Sequence, residues 1–498
     1  MRDSRAMLED RPVGVVPLNL ATIIQSHAAE RPALIDGDQT TTFGELQTQA
    51  AAIRATLHSI GIGPDDRVAV ASGNEPLFVP CLLGAVGIGA RVIPMKHTNP
   101  LPELERKLTA TDPAAVLVGA DAAWLLEHQA SFSAPFIDVT TLDLTNADGA
   151  PPILDRADTD VAVMMLTSGV SGDAKVAMLS HRNLDWAQDA LAGEGNHGLV
   201  ESDVVLASLP FAHIFGLNAV LLTALRTGSL SVLQRRFDVD GSIDLIEEHQ
   251  ITVLAGAPPM WRRWSMLDLA PSAFDSVRIA VSGGAALSID VQQAMADRHG
   301  VTVEQGYGLT ETAATVTNNR GYPVRPGSVG KPIGDLEVML VEADGTPVEP
   351  GDSGEIVVRG PNIFLGYYES PEQTGHCLTE SGWFWTGDVG VVDDDGYIFI
   401  VDRVKDLIIV SGFNVYPAEV EKILTTHPLV TGAVVVGAPH EFTDETVVAY
   451  VTGTIEPDEL KAFAQEQLTR YKCPTEVHVV DELPIGPTGK PIRRELRQ

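Results

Sequence analysis

Between Val204 and Val303 the chain repeats one pattern, a short run of β-branched and other apolar residues followed by a longer amphipathic segment. The runs are Val204-Val205-Leu206, Leu230-Ser231-Val232-Leu233, Ile251-Thr252-Val253-Leu254, Val277-Arg278-Ile279-Ala280-Val281 and Val301-Thr302-Val303, and the segments include 212–226, 243–249 and 289–299. Such runs are strand-length, and a helix between successive strands forces a crossover, so the pattern predicts a parallel sheet with helices on its faces. A large, doubly wound α/β region is expected over most of the chain. Beyond about Pro323 glycine and proline turns separate short strands, as at 354–360 and 396–401, which predicts a β-rich subdomain. From Pro417 the order reads helix (417–426), strand (433–436), strand (447–451), helix (458–468) and strand (476–480), a small α+β module. The link to it is Val401-Asp402-Arg403-Val404-Lys405-Asp406, a charged hexapeptide between apolar runs.

Charge narrows the function. A formal net charge of −33 over 498 residues argues against general binding to nucleic acid or anionic membranes, which need a net basic surface. Any polyanion site must then be local. The first ten residues lack the apolar core of a secretion signal, and the apolar run 79–90 falls short of the ~20 residues of a membrane span, so a cytoplasmic protein without an integral membrane segment is expected. Cys81, Cys377 and Cys473 show no paired spacing, which points to neither a disulfide framework nor a zinc site.

One local polyanion site is visible. Leu166-Thr167-Ser168-Gly169-Val170-Ser171-Gly172-Asp173-Ala174-Lys175 follows the apolar run Val161-Ala162-Val163-Met164-Met165, and its glycines, hydroxyls and lysine describe a phosphate cradle. It is not a Walker loop, because Ala174 stands where that loop needs glycine before the lysine. Four clusters follow. Gln305-Gly306-Tyr307-Gly308-Leu309-Thr310-Glu311-Thr312 offers Gly306 and Tyr307 to a planar base, Thr310 to a phosphate and Glu311 to a magnesium ion. Trp385-Thr386-Gly387-Asp388 sets a lone carboxylate where ribose hydroxyls could bind it. Asp402 to Asp406 runs on towards Ser411-Gly412-Phe413-Asn414, and Pro487-Thr488-Gly489-Lys490 places one lysine on a turn near the C-terminus. Singly, these also fit a turn with a packed tyrosine, an Asp-capped turn, a surface ion-pair cluster and a frayed end.

In this order the five clusters resemble the adenylate-forming superfamily of acyl-CoA synthetases, peptide-synthetase adenylation domains and luciferases, over roughly 166–494. The resemblance implies a large adenylation domain, 1–402, and a small mobile C-terminal domain, 403–498, hinged near Lys405. It implies ATP, Mg²⁺ and CoA as the small molecules bound, and a two-step reaction through acyl-AMP. Carried over by position, Lys490 would bridge the substrate carboxylate and the α-phosphate. Thr167, Ser168, Gly169, Ser171, Gly172 and Lys175 would hold the β- and γ-phosphates, with Thr310 and Glu311 serving phosphate and magnesium. Gly283, Gly284, Ala285, Gly306 and Tyr307 would line the adenine, and Asp388 and Arg403 would take the ribose. Ser411, Gly412 and Phe413 would come in beside the pantetheine tunnel after rotation about Lys405, and His213 would sit at the acyl pocket. The family's phosphate loop usually reads Thr-Ser-Gly-Thr-Thr-Gly-x-Pro-Lys-Gly, and this chain departs from it at Val170, Ala174 and Val176.

The segment 410–417 is similar to that of medium- and long-chain fatty acyl-CoA synthetases, so a fatty acid and free CoA are the expected substrates. An acyl-AMP ligase serving a carrier protein, an aryl-acid CoA ligase and a ligand-binding paralogue with impaired turnover are the alternatives. Oligomeric state stays open, a homodimer included. The near-dinucleotide pattern Gly84-Ala85-Val86-Gly87-Ile88-Gly89 has its glycines reversed and reads as a helix-packing contact.

Overall fold

The computed structural model describes residues 18–167, 175–192, 197–270, 272–349, 351–403, 406, 408–410, 413–440, 444–468, 470–484 and 492–496. Two large sheets form the body. The first orders the strands Phe136–Asp138, Ala115–Val118, Arg67–Ser72, Arg91–Lys96 and Val161–Thr167 in parallel, and closes with Lys175–Ser180 running antiparallel. The second runs Glu304–Gln305, Ile279–Ser282, Val253–Gly256, Val204–Ala207, Leu230–Leu233 and Pro32–Asp36 in parallel, with Gln39–Thr42 antiparallel at its edge.

The inner parallel strands are mostly apolar and buried, as expected where helices pack against the sheet faces. The helices Phe43–Ser59 and Phe78–Gly87 pack together and share one apolar core with residues of both sheets. Gly84 is the contact that lets them close, since a Cβ there would lie 2.7 Å from Ile53 Cβ. The helix-packing reading of this glycine pattern therefore matches the geometry.

Two expectations shift in register. The strand expected at 301–303 forms at Glu304–Gln305, because the Val303 carbonyl accepts from the Gln292 amide side chain instead of from a neighbouring strand. The segment expected as a helix over 212–226 winds as a π-helix over Phe215–Leu222 before an α-helical turn, Thr223–Thr227. A Cβ on Gly216 would come within 2.4 Å of the Pro210 carbonyl oxygen, so this tight entry requires glycine.

The β-rich part is a four-stranded antiparallel sheet of Glu337–Val341, Gly354–Arg359, Phe384–Val392 and Ile398–Arg403. The last module is larger than its sequence pattern indicates, since Ile408–Val410 and Phe413–Val415 pair into a sheet with Asp444–Gly453, Val430–His440 and Glu476–Val479. Its apolar core is its own, drawn entirely from residues between Ile408 and Val477. No helix among the described residues is long and apolar enough to cross a membrane.

One buried imidazole makes the body acid-sensitive. His181 is 1% exposed, and its Nδ1 accepts from the Leu20 amide at 3.0 Å. Burial, with the nearby Arg156 guanidinium, pushes its pKa down to about 4 from 6.5. The unfolded chain therefore binds the extra proton first, and this contribution is complete above pH 6.5 and lost as pH falls towards 4. It amounts to about 2 kcal/mol between pH 7 and pH 5. Urea unfolding of His181→Asn at both pH values should show a pH dependence reduced by that amount.

Candidate active site

A cleft of about 3160 Å³ opens where the carboxyl ends of both parallel sheets face the four-stranded sheet and the C-terminal module. Ligands of doubly wound folds bind at such ends. Thr167, Lys175, His213, Gly283, Gly284, Ala285, Gly306, Tyr307, Thr310, Glu311 and Asp388 all line it. Residues from five separate stretches of the sequence thus converge on one cavity.

The hydroxyl-rich stretch joins the antiparallel strands Val161–Thr167 and Lys175–Ser180, whose ends pair Thr167 with Lys175. The Thr167 hydroxyl donates to the Lys175 carbonyl at 3.2 Å. The two described ends of the cradle, Thr167 and Lys175, thus sit on paired antiparallel strands. Ser168, Gly169, Ser171 and Gly172, with Val170 and Ala174, lie outside the described residues. Val176 belongs to the strand, where its buried side chain packs among Ala69, Ile93 and Met164.

Residues 365–368 run beside this hairpin. Leu365 and Met178, Met178 and Gly366, and Tyr368 and Val176 exchange backbone hydrogen bonds of 2.9, 3.0 and 2.8 Å. That pairing turns the Tyr367 ring under Lys175, whose Nζ lies 4.7 Å from the ring centroid. The Tyr367 hydroxyl donates to Glu311 Oε1 at 2.7 Å. Burial and the Glu311 carboxylate hold the phenol far above its usual pKa, so it stays a donor. Tyr367 escapes sequence reasoning because 56 residues separate it from Glu311 and no spacing rule links them.

Glu311 itself sits in a closed loop. Tyr307 and Thr317 bridge its base, and Thr310–Thr312 forms a 3-10 turn. Ala313 (φ +52) and Ala314 (φ +92) then enter the left-handed region that non-glycine residues avoid. Neighbours hold this strain in place: Asn218 donates to the Ala313 carbonyl at 2.9 Å, and Asn362 donates to the Thr312 and Thr315 carbonyls at 3.1 and 2.7 Å. A Cβ on Gly308 would fall 2.1 Å from the Ala314 carbonyl oxygen, so the loop closes only on glycine.

The Thr-Gly-Asp cluster is a β-bulge. Glu355 pairs with Val389 and Val357 with Trp385, which leaves Thr386, Gly387 and Asp388 opposite Ile356 alone. Gly387 takes φ +72, its amide donates to Glu355 Oε1 at 3.0 Å, and the Thr386 hydroxyl donates to the Ile356 carbonyl at 2.8 Å. The bulge aims Asp388 at Tyr307, whose hydroxyl donates to Asp388 Oδ2 at 2.8 Å. Arg403 stands opposite Asp388 in the strand register.

His213 is exposed within the cleft just before the π-helix, and its Nδ1 accepts from the Phe215 amide at 3.4 Å. Phe413 contributes backbone to the C-terminal module's sheet. Lys405, Ser411, Gly412 and Lys490 lie outside the described residues. Ile492 and Arg493, just beyond Lys490, line the cleft, with Arg493 Nη2 2.7 Å from Glu421 Oε1.

Among the described residues no three His, Cys, Asp or Glu side chains converge to hold a metal ion alone. A single carboxylate braced by a tyrosine suits Mg²⁺, which commonly takes one or two carboxylates and completes its shell with phosphate oxygens and water.

Comparisons with known proteins agree with this architecture. The family model for AMP-binding enzymes matches residues 22–368, and that for the AMP-binding enzyme C-terminal domain matches 419–490. A feruloyl-CoA synthase of Amycolatopsis sp. is 35% identical over 482 residues, 94% of this chain and 95% of that protein. A long-chain-fatty-acid–CoA ligase of Yersinia pestis is 32% identical, covering 94% of this chain and 92% of its own. The crystal structure of ATP-bound MatB from Rhodopseudomonas palustris superposes with a TM-score of 0.88 at 29% identity, covering 97% of this chain and 98% of that one. With matches across both parts of the chain and a shared fold, the chain belongs to the AMP-binding enzyme family, within the adenylate-forming superfamily.

Proposed function

We propose that this protein is an AMP-forming acid-thiol ligase that activates a hydrophobic carboxylic acid with ATP and passes the acyl group to CoA. The observation that carries the reading is the convergence of Thr167, Lys175, Tyr307, Thr310, Glu311 and Asp388 on one cleft. In the first step a substrate carboxylate oxygen attacks the α-phosphorus, the bond to the β-phosphate oxygen breaks, and pyrophosphate leaves. In the second a thiol sulfur attacks the acyl carbon, AMP departs with the former carboxylate oxygen, and the thiol proton passes to solvent.

No protein nucleophile is needed, so the side chains act by position and charge. Lys175 and the hydroxyl-rich stretch before it hold the pyrophosphate, and Tyr367 keeps Glu311 fixed for the Mg²⁺ that would accompany it. When bound, Mg²⁺ neutralises phosphate charge. Tyr307 and the glycines Gly283 and Gly284 line the base, while Asp388, held by its bulge, accepts from the ribose hydroxyls. Lys490 bridges the two anions that must meet. The chain divides after residue 402, and rotation about Lys405 carries Lys490 out and Ser411, Gly412 and Phe413 in.

The relatives include a feruloyl and a long-chain-fatty-acid enzyme, so the most informative assay is a carboxylic-acid panel. Pyrophosphate release should require ATP and an acid together, with acyl-CoA formed only when CoA is added. Thioester on a carrier protein with none on CoA would favour the carrier-loading reading, and ligand binding without acyl-AMP would favour a paralogue without turnover.

A further inference from the structure

The apolar wall of the cleft ends in a charged group that the proposed reaction does not use. Strand pairing sets Ala255 beside Val281 and Val281 beside Glu304, with Val253 beside Val205 one row deeper. Parallel partners in register project to the same face, so these five side chains form one floor, and all five line the cleft. Four are apolar. The fifth, Glu304, stands on the edge strand three residues before Tyr307, roughly 10 Å back along the strand from the base-binding end at ~3.3 Å per residue.

A carboxylate at the end of an apolar floor is costly unless something pairs with it. Glu304 Oε2 is buried with no hydrogen-bond partner among the described residues. Burial pushes the carboxyl up, against the opposing pull of Arg320 and His197. Arg320 pulls on it through charge but gives it no hydrogen bond, and its Nη1 donates to the Leu191 carbonyl at 2.6 Å. A purely aliphatic tail laid along this floor would leave the carboxyl desolvated and unpaired, whereas a donor on the tail would satisfy it.

Resting on the ligase reading, we propose that the acid this enzyme prefers carries a hydroxyl or amino group at the end remote from its carboxyl, and that Glu304 accepts a hydrogen bond from that group. Sites built to bond a substrate hydroxyl discriminate strongly against the analogue lacking it, while apolar pockets barely distinguish the two. Glu304 is thus a specificity residue, and its removal should change the choice between acids more than the chemistry.

The test uses two matched pairs, cinnamic with 4-hydroxycinnamic acid and decanoic with 10-hydroxydecanoic acid, scored by kcat/KM for pyrophosphate release. The full-length enzyme should favour the hydroxylated member of at least one pair by about tenfold or more. Glu304→Leu should abolish or reverse that preference while still releasing pyrophosphate with the plain acid, and Glu304→Gln, which retains an acceptor, should keep part of it. Each ratio is taken within one variant, so a loss of folded protein cancels. Equal use of both members of each pair by the wild type, or an unchanged ratio in Glu304→Leu, would overturn the inference and leave the ligase reading standing. Release with none of the four acids would overturn the ligase reading and this inference with it.

Discussion

Glu311→Ala should lower kcat/KM for acid-dependent pyrophosphate release by about 10²–10³, the loss typical when one fixed charge or donor is removed from a preorganised transition-state site. The carboxylate is held on several sides. Its backbone carbonyl accepts from the Phe364 amide at 2.9 Å, its Oε1 accepts from Tyr367, and its loop is closed by Asn218 and Asn362. Raising Mg²⁺ should recover part of the loss if, as proposed, the missing group is a cation ligand. A fall of less than about threefold at saturating ATP and Mg²⁺ would remove Glu311 from the machinery.

Lys490→Ala should cost a similar factor, but in one half-reaction only. Arg493, three positions on in the sequence, lines the cleft and is tied to Glu421 at 2.7 Å, and the role proposed for Lys490 belongs to the first step alone. Its charge counters the repulsion between a carboxylate and a phosphate, a problem confined to acyl-AMP formation. Release of pyrophosphate should collapse in the variant, whereas CoA thioester formation from supplied acyl-AMP should persist at near the wild-type rate. Equal loss in both steps would argue that the substitution disturbs the C-terminal module and not the chemistry.

The strands between Val204 and Ser282 were legible as short, mostly apolar runs set between amphipathic segments, whereas their order in the sheet comes from the crossovers and leaves no mark in any one run. Val301 and Val303 show where that signal fails. They are buried as their apolarity implies, yet burial does not say which backbone groups pair, and the ladder forms at Glu304–Gln305. The same limit applies to the π-helix over Phe215–Leu222, which an apolar run predicts only as a helix. At the site, Tyr307, Glu311 and Asp388 were legible because a tight loop and a bulge need glycines at fixed offsets, so the chemistry leaves a local imprint. Tyr367 leaves none, since its place comes from strand pairing with a hairpin nearly two hundred residues earlier. Glu304 was passed over because a charged residue before a motif reads as solvent-facing until the sheet register puts it on the floor of the cleft.

The self-contained core of the C-terminal module bears on motion. Because its apolar residues, from Ile408 to Val477, pack on one another, the module can change its bearing on the body without exposing a core. What such a movement disturbs is a polar rim, of which the Ser353–Tyr416 hydroxyl contact at 3.1 Å is one member. Rim contacts of this kind differ between orientations by little, so two poses can stay within a few kcal/mol of each other. On the ligase reading proposed above, exchanging one small molecule for another in the cleft would be enough to reverse which pose is populated, with no separate trigger.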